Sequence, residues 1–272
     1  MRIDIHTHAF PDRLAQRATA GMSRILGFPC QGTGLLSDLA EDERKASIDM
    51  HVVLCCAATA GSTANVNTYA LQCHKQEGTL AFGSIHPDCI SWEQELDRLE
   101  NGGIRGLKLH PEYQGIPIDD ARFEPLFEAC QGRFCVLVHT GGTRDTQALS
   151  KSSPARLLNV LRKFPRLDVV AAHFGGEGIW RFACDVLKSY RGDHLWLDTS
   201  SSTKFVPKDL LKELLSLRPF DYYLFGSDWP IYRPCEERER LVTAAGLTEP
   251  EAEDLMDHAR FLLGQYGMLP QK

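Results

Sequence analysis

Short apolar runs alternate along the chain with longer stretches in which apolar residues recur at helical spacing, the pattern of βα units around a parallel sheet. The apolar runs predict strands over residues 2–6, 51–57, 80–85, 104–109, 134–138, 168–172, 195–198 and 222–226. The helical periodicity predicts helices over 39–50, 64–76, 123–130, 155–164, 179–190, 208–217, 236–245 and 250–264. One further helix is opened by a capping box at Ser91 and Gln94 and stopped by Asn101-Gly102-Gly103. Ser153-Pro154 supplies an N-cap and a first-turn proline for the helix that follows. The connection after the first strand, through Gly32 and Gly34, reads either as a lid over one end of the sheet or as an irregular insertion.

Eight strand–helix units predict an α/β fold, a single-domain (β/α)8 TIM barrel over residues 1–272. A doubly wound open sheet would carry a glycine-rich turn after the first strand, and none is present. The barrel matters for function because the C-terminal ends of its strands form one rim. Side chains far apart in sequence meet there.

Six of the ten histidines stand where predicted strands run out. His6 and His8, in Asp4-Ile5-His6-Thr7-His8, are two apart on a strand, so both side chains are expected to point into the barrel mouth, with Asp4 on the same face. Paired neutral imidazoles suit a borderline cation such as zinc, although a polar turn would also carry such a pair. His139 ends the fifth strand before Thr140-Gly141-Gly142, as a metal ligand or as a group satisfied by a backbone carbonyl. His173 ends the sixth, where a general acid/base or oxyanion donor fits as well as a ligand. Asp228 follows the apolar segment 222–226, where a carboxylate needs a partner; a metal supplies one, and a helix N-cap is the other reading. Lys108 and His110 share a face at the end of the fourth strand. With Tyr113 they are candidates for orienting an anionic substrate, and Arg144 and Arg233 are weaker ones.

Composition narrows the partners. With 43% hydrophobic and 24% charged residues, the chain has an ordinary globular balance. A net charge of -6 and no basic stripe disfavour nucleic acid. Lys204, Lys208 and Lys212 read as the wet face of a helix. No apolar stretch reaches the roughly 20 residues of a membrane span. Nine cysteines without CxxC spacing, several inside apolar runs, fit a reducing compartment, and a cytoplasmic protein is expected. Nothing in the chain fixes an oligomeric state; a homodimer is the default.

The set Asp4-Ile5-His6-Thr7-His8, His139, His173 and Asp228 resembles, in type and order, the amidohydrolase superfamily, and most closely its amidohydrolase-related branch of decarboxylases and hydrolases. The resemblance spans essentially the whole chain. It implies a distorted (β/α)8 barrel with one or two divalent metals at the rim. His6, His8, His139 and Asp228 would be ligands, and His173 a second-metal ligand or catalytic histidine. Zinc, manganese and iron all suit such donors. A second ion would require a carbamylated Lys108; otherwise Lys108 is a plain ammonium for a substrate carboxylate. The implied activity is hydrolysis of a C–O or C–N bond by a metal-activated water, with Asp228 and His173 catalytic. Non-oxidative decarboxylation of an aromatic or unsaturated acid is the alternative, and a non-catalytic metal-binding barrel the third reading.

Overall fold

The computed structural model describes residues 1–142 and 150–269. Eight parallel strands form where the apolar runs lie: β1 (Ile3–Thr7), β2 (Met50–Leu54), β3 (Thr79–Phe82), β4 (Gly106–Leu109), β5 (Cys135–Val138), β6 (Val169–Ala171), β7 (Leu195–Asp198) and β8 (Tyr223–Leu224). They make two arcs, β1-β2-β3 and β4-β5-β6-β7-β8. Backbone bonds close both seams: Lys108 N–H donates to Gly83 O (2.7 Å), and Ile5 N–H to Phe225 O (2.9 Å). The eight strands therefore form the expected barrel.

Strand residues alternate between two apolar layers, as a sheet covered on both faces requires. Ile3, Ile5, Val52, Phe82, Leu137 and Val170 fill the interior, while Val53, Leu107, Leu109, Val136 and Val169 pack outward against helices. Helix α1 (Asp12–Leu26) and helix α2 (Leu36–Lys45) follow β1, then α3 (Thr63–Cys73), α4 (Trp92–Asn101), the short α5 (Pro111–Gln114) and α6 (Glu124–Cys130). The remaining helices are α7 (Pro154–Lys163), α8 (Trp180–Leu187), α9 (Lys208–Leu215), α10 (Pro234–Thr243), α11 (Glu249–Asp257) and α12 (Ala259–Gln265). Leu262 and Leu263 of α12 join the interior layer, so this helix closes the barrel at the end where strands begin.

Several sequence expectations change. The connection after β1, expected as a lid or an irregular insertion, contains a 15-residue helix, α1, that lines the cavity at the rim. The helix expected over 250–264 is two, broken at His258, whose Nδ1 bonds Tyr223 O (2.9 Å) and ties the break to the barrel. Ser153 caps α7, accepting from Arg156 N–H, but Ser91 makes no side-chain cap on α4. Lys208 lies in α9, yet Lys204 precedes that helix and sets its ammonium 5.1 Å from the Phe28 ring and 5.4 Å from that of Tyr232. It is a cation–π contact, not part of a wet helix face.

Buried His51 of β2 sits 3.0 Å from Thr79 Oγ1, and burial lowers its pKa to about 4. The folded state favours the neutral ring, whereas the unfolded chain protonates near pH 6.5. Stability should therefore fall as pH drops from about 6.5 to about 4, with no contribution from this group above that window. Denaturant titrations of His51→Gln across these pH values are expected to show a shallower slope, by up to one proton; an unchanged slope would refute the assignment.

Candidate active site

The site begins with an irregularity in β1. Its pairing with β2 shifts register between Asp4 and Thr7. Because side chains alternate in a strand, that shift moves later residues to the other face. Ile3 and Ile5 point into the barrel, so Asp4 between them points outward, contrary to the expectation from simple alternation. Asp4 is fully buried beside Glu43 of α2, and burial raises its carboxyl to about 7. It accepts N–H bonds from His6 (3.0 Å) and Ser227 (3.1 Å), fastening β1 to the segment after β8. Beyond the irregularity, His6 and His8 both face the cavity at the strands' C-terminal rim.

His6, His8 and Asp228 converge. The Nε2 atoms of the two imidazoles are 3.2 Å apart, and Asp228 Oδ1 lies 3.2 Å from His8 Nε2 and 3.5 Å from His6 Nε2. Bonds of about 2.0–2.1 Å to one tetrahedral cation would space donors by about 3.3 Å. The three donors thus fit a cation without rearrangement. Both Nδ1 atoms are already engaged: His6 Nδ1 by Asp198 Oδ2 (2.8 Å) and His8 Nδ1 by Leu54 O (3.1 Å). Those acceptors demand Nδ1–H, which leaves both Nε2 lone pairs directed at the common point. Burial lowers the pKa of His6 to about 3, keeping its ring neutral at physiological pH. Burial opposes ionisation of Asp228, but the surrounding imidazoles outweigh it and hold its carboxyl well below the usual range.

A second group lies alongside. His139 Nδ1 is 3.1 Å from His173 Nε2, and His139 Nε2 is 3.5 Å from Glu177 Oε2. His173 Nδ1 is held by Ser200 O (3.1 Å) and Ser200 Oγ (2.9 Å). The two groups adjoin, the His6 and His173 ring centres being 5.0 Å apart. The structure therefore brings all five expected residues to one rim but divides them. His6, His8 and Asp228 make one three-donor set, His139 and His173 make another with Glu177, and His6 and His173 bridge the two through a third with Asp198. Lys108 is buried with its Nζ 3.3 Å from His6 Nε2, and burial lowers its pKa. His110 stacks between Tyr113 and His139, with ring centres 3.8 and 3.9 Å away. Arg233 instead pairs with Asp42 (3.4 Å) away from this cavity, and Arg144 lies outside the described residues.

The backbone is bent to make this arrangement. His173 and Asp228 have φ of 60° and 62°, left-handed values that cost a non-glycine residue about 1–3 kcal/mol each. Compensating bonds hold them: His173 N–H donates to Asp198 Oδ1 (2.9 Å) and Asp228 N–H to His6 O (2.8 Å). At Gly226 an added Cβ would stand 2.8 Å from that of His6, so only glycine lets the segment after β8 approach β1 this closely.

Sequence reasoning passed over Asp198, Ser200 and Glu177. Asp198 ends β7, the same strand-end signal that singled out the histidines, but β7 was read only as a strand. Glu177 follows Gly175-Gly176 in a loop, where no periodicity marks it.

The sequence profile of the amidohydrolase family matches residues 3–263. The chain belongs to this family. No curated protein matches it. Among solved structures, an uncharacterised TIM-barrel protein from Bordetella bronchiseptica is 20% identical with a TM-score of 0.73, covering 98% of this chain and 99% of its own. A dihydroxybenzoic acid decarboxylase from Polaromonas sp. JS666, with bound manganese and the inhibitor 2-nitroresorcinol, is 14% identical with a TM-score of 0.68, covering 99% of both chains. A Pseudomonas putida protein provisionally described as a 2-pyrone-4,6-dicarboxylic acid hydrolase is 18% identical with a TM-score of 0.65, covering 99% of this chain and 98% of that one. At these identities the likeness establishes the fold.

In this member of the amidohydrolase family the carboxylate on His6 Nδ1 sets which tautomer faces the cavity. Asp198→Asn should weaken zinc or manganese binding about 10- to 100-fold in titrations of metal-depleted protein. Unaltered affinity would show that Asp198 does not govern the donor set.

Proposed function

We propose that this amidohydrolase is a metal-dependent hydrolase cleaving a C–O or C–N bond (ester, lactone or amide) in a small carboxylated molecule. The observation that carries this reading is the triangle of His6 Nε2, His8 Nε2 and Asp228 Oδ1, with both imidazole tautomers preset. These three residues would hold one divalent cation. Zinc suits two imidazoles and a carboxylate, and manganese or iron does so nearly as well. When bound, such an ion supplies Lewis acidity and an acidified water at neutral pH.

The chain's own groups provide the rest. With Oδ1 given to the cation, Asp228 Oδ2, oriented by the Ser201 hydroxyl it accepts, takes the proton of the attacking water and delivers it to the leaving group. His173, oriented through Nδ1 by Ser200, stands beside His139 with Nε2 toward the cavity, where it takes up a proton and in that protonated form donates to a developing oxyanion. The Lys108 amine, buried under His6, meets the substrate carboxylate as a hydrogen-bond donor, with Tyr113 and His110 as an aromatic edge. A free Lys108 implies a single ion; carbamylation would add a second, next to His139 and His173. All nine cysteines are free, and no helix among the described residues is long and apolar enough to cross a membrane, in keeping with a cytoplasmic setting.

Decarboxylation of an aromatic or unsaturated acid is the second reading, favoured by the apolar walls of the cavity and by the named activity of the Polaromonas relative. Carbon dioxide release from a panel of carboxylic acids, without hydrolysis products, would select it. Two outcomes test the primary proposal. Asp228→Asn should lower turnover at least about 1000-fold with an unchanged circular dichroism spectrum; retained activity would reject the role given to Asp228. Metal analysis of protein purified without chelator should find about one equivalent per chain, and two equivalents with an added carboxyl mass on Lys108 would replace the single-ion site.

A further inference from the structure

The cavity over the rim has two chemically different halves. Its floor is the imidazole and carboxylate cluster; one wall is helix α1. Leu14, Ala18, Met22 and Ile25 recur every three to four residues and so form one stripe along that helix, and all four line the cavity. An amphipathic helix ordinarily turns such a stripe into the core. Here only Ala15 of α1 is buried, and Leu14 and Ile25 are 43% and 72% exposed. Val66 and Tyr69 of α3 extend the apolar wall. The cavity, open to solvent and about 1060 Å³ in volume, slightly exceeds the roughly 300–1,000 Å³ of small-molecule sites.

We propose that α1 is a specificity wall for a substrate whose carboxylate or acyl head carries an extended hydrocarbon body, of medium-chain acyl or arylalkyl type. This rests on the reading that the floor holds the reacting group. A compact polar acid would leave the stripe in water and gain nothing from it. A hydrocarbon body covering the stripe removes apolar surface from water on both partners and orients the head toward the floor, where Lys108 waits. Leucine and methionine suit this task because their flexible side chains conform to a chain of variable shape. The stripe's continuity with the floor favours a small amphiphile over a protein partner.

Isothermal titration calorimetry with octanoate and acetate tests the wall directly. Each buried methylene contributes about fourfold in affinity, so partial burial of the tail should make octanoate bind at least ~30-fold tighter than acetate. Met22→Glu should cut that ratio at least ~10-fold, and Met22→Ala should cut it less. Arg17→Glu, a charge change on the same helix outside the cavity lining, should preserve it. Equal affinities for the two acids, or a ratio untouched by Met22→Glu, would overturn the proposal. So would sedimentation showing that Met22→Glu splits a dimer while leaving the ratio intact, which would assign the stripe to a second copy of the chain. A preserved ratio in a protein that hydrolyses nothing would sink the hydrolase reading alone; lost discrimination with hydrolysis intact would sink the wall alone.

Discussion

Closure of the barrel between its first and last strands is the constraint on which the site depends. Ile5 N–H reaches Phe225 O, Asp228 N–H reaches His6 O, and the buried Asp4 carboxylate accepts from both His6 and Ser227. All but the Asp4–His6 bond join residues more than two hundred positions apart and fix their relative height along the barrel axis. The register shift after Asp4 rotates His6 and His8 into the mouth, and the absent side chain of Gly226 lets the seam close against His6. Without that seam the two imidazoles and Asp228 would belong to different parts of the protein.

The same convergence concentrates polar groups where water is scarce. Burial drives His6, His110 and His139 toward neutral rings and Lys108 toward a neutral amine, while Asp198 and Asp228 stay ionised. The floor therefore combines neutral imidazoles with carboxylates, an arrangement that favours a cation. Left-handed backbone at His173 and Asp228 belongs with this electrostatic focus, because strain persists only where surrounding bonds over-determine the geometry.

Above the floor, α1 supplies what the strands cannot. Strand ends present short polar side chains in fixed directions, suited to holding a reacting group. A helix laid across the rim presents a broad apolar surface suited to the part of a substrate that does not react. Chemistry and selectivity are thus assigned to different elements, which is how one barrel scaffold serves many substrates.

The barrel itself was legible in the sequence because a strand buried on both faces reads as a nearly unbroken apolar run, and β5 and β6 are such runs. His6, His8, His139, His173 and Asp228 were legible because strand ends on a barrel rim share one location whatever their separation in the chain. Tertiary structure alone decided the remainder. Asp4 faces outward because of a one-residue shift that no alternation pattern announces. Asp198 orients His6 because β7 lies within hydrogen-bond reach of it across the barrel mouth, a contact between residues 192 positions apart. Glu177 joins His139 because two loops meet, and the α1 stripe faces the cavity because that helix crosses the rim. Periodicity records which side chains leave water; which neighbours they meet is set by long-range packing, and that is where the division into two donor groups arose.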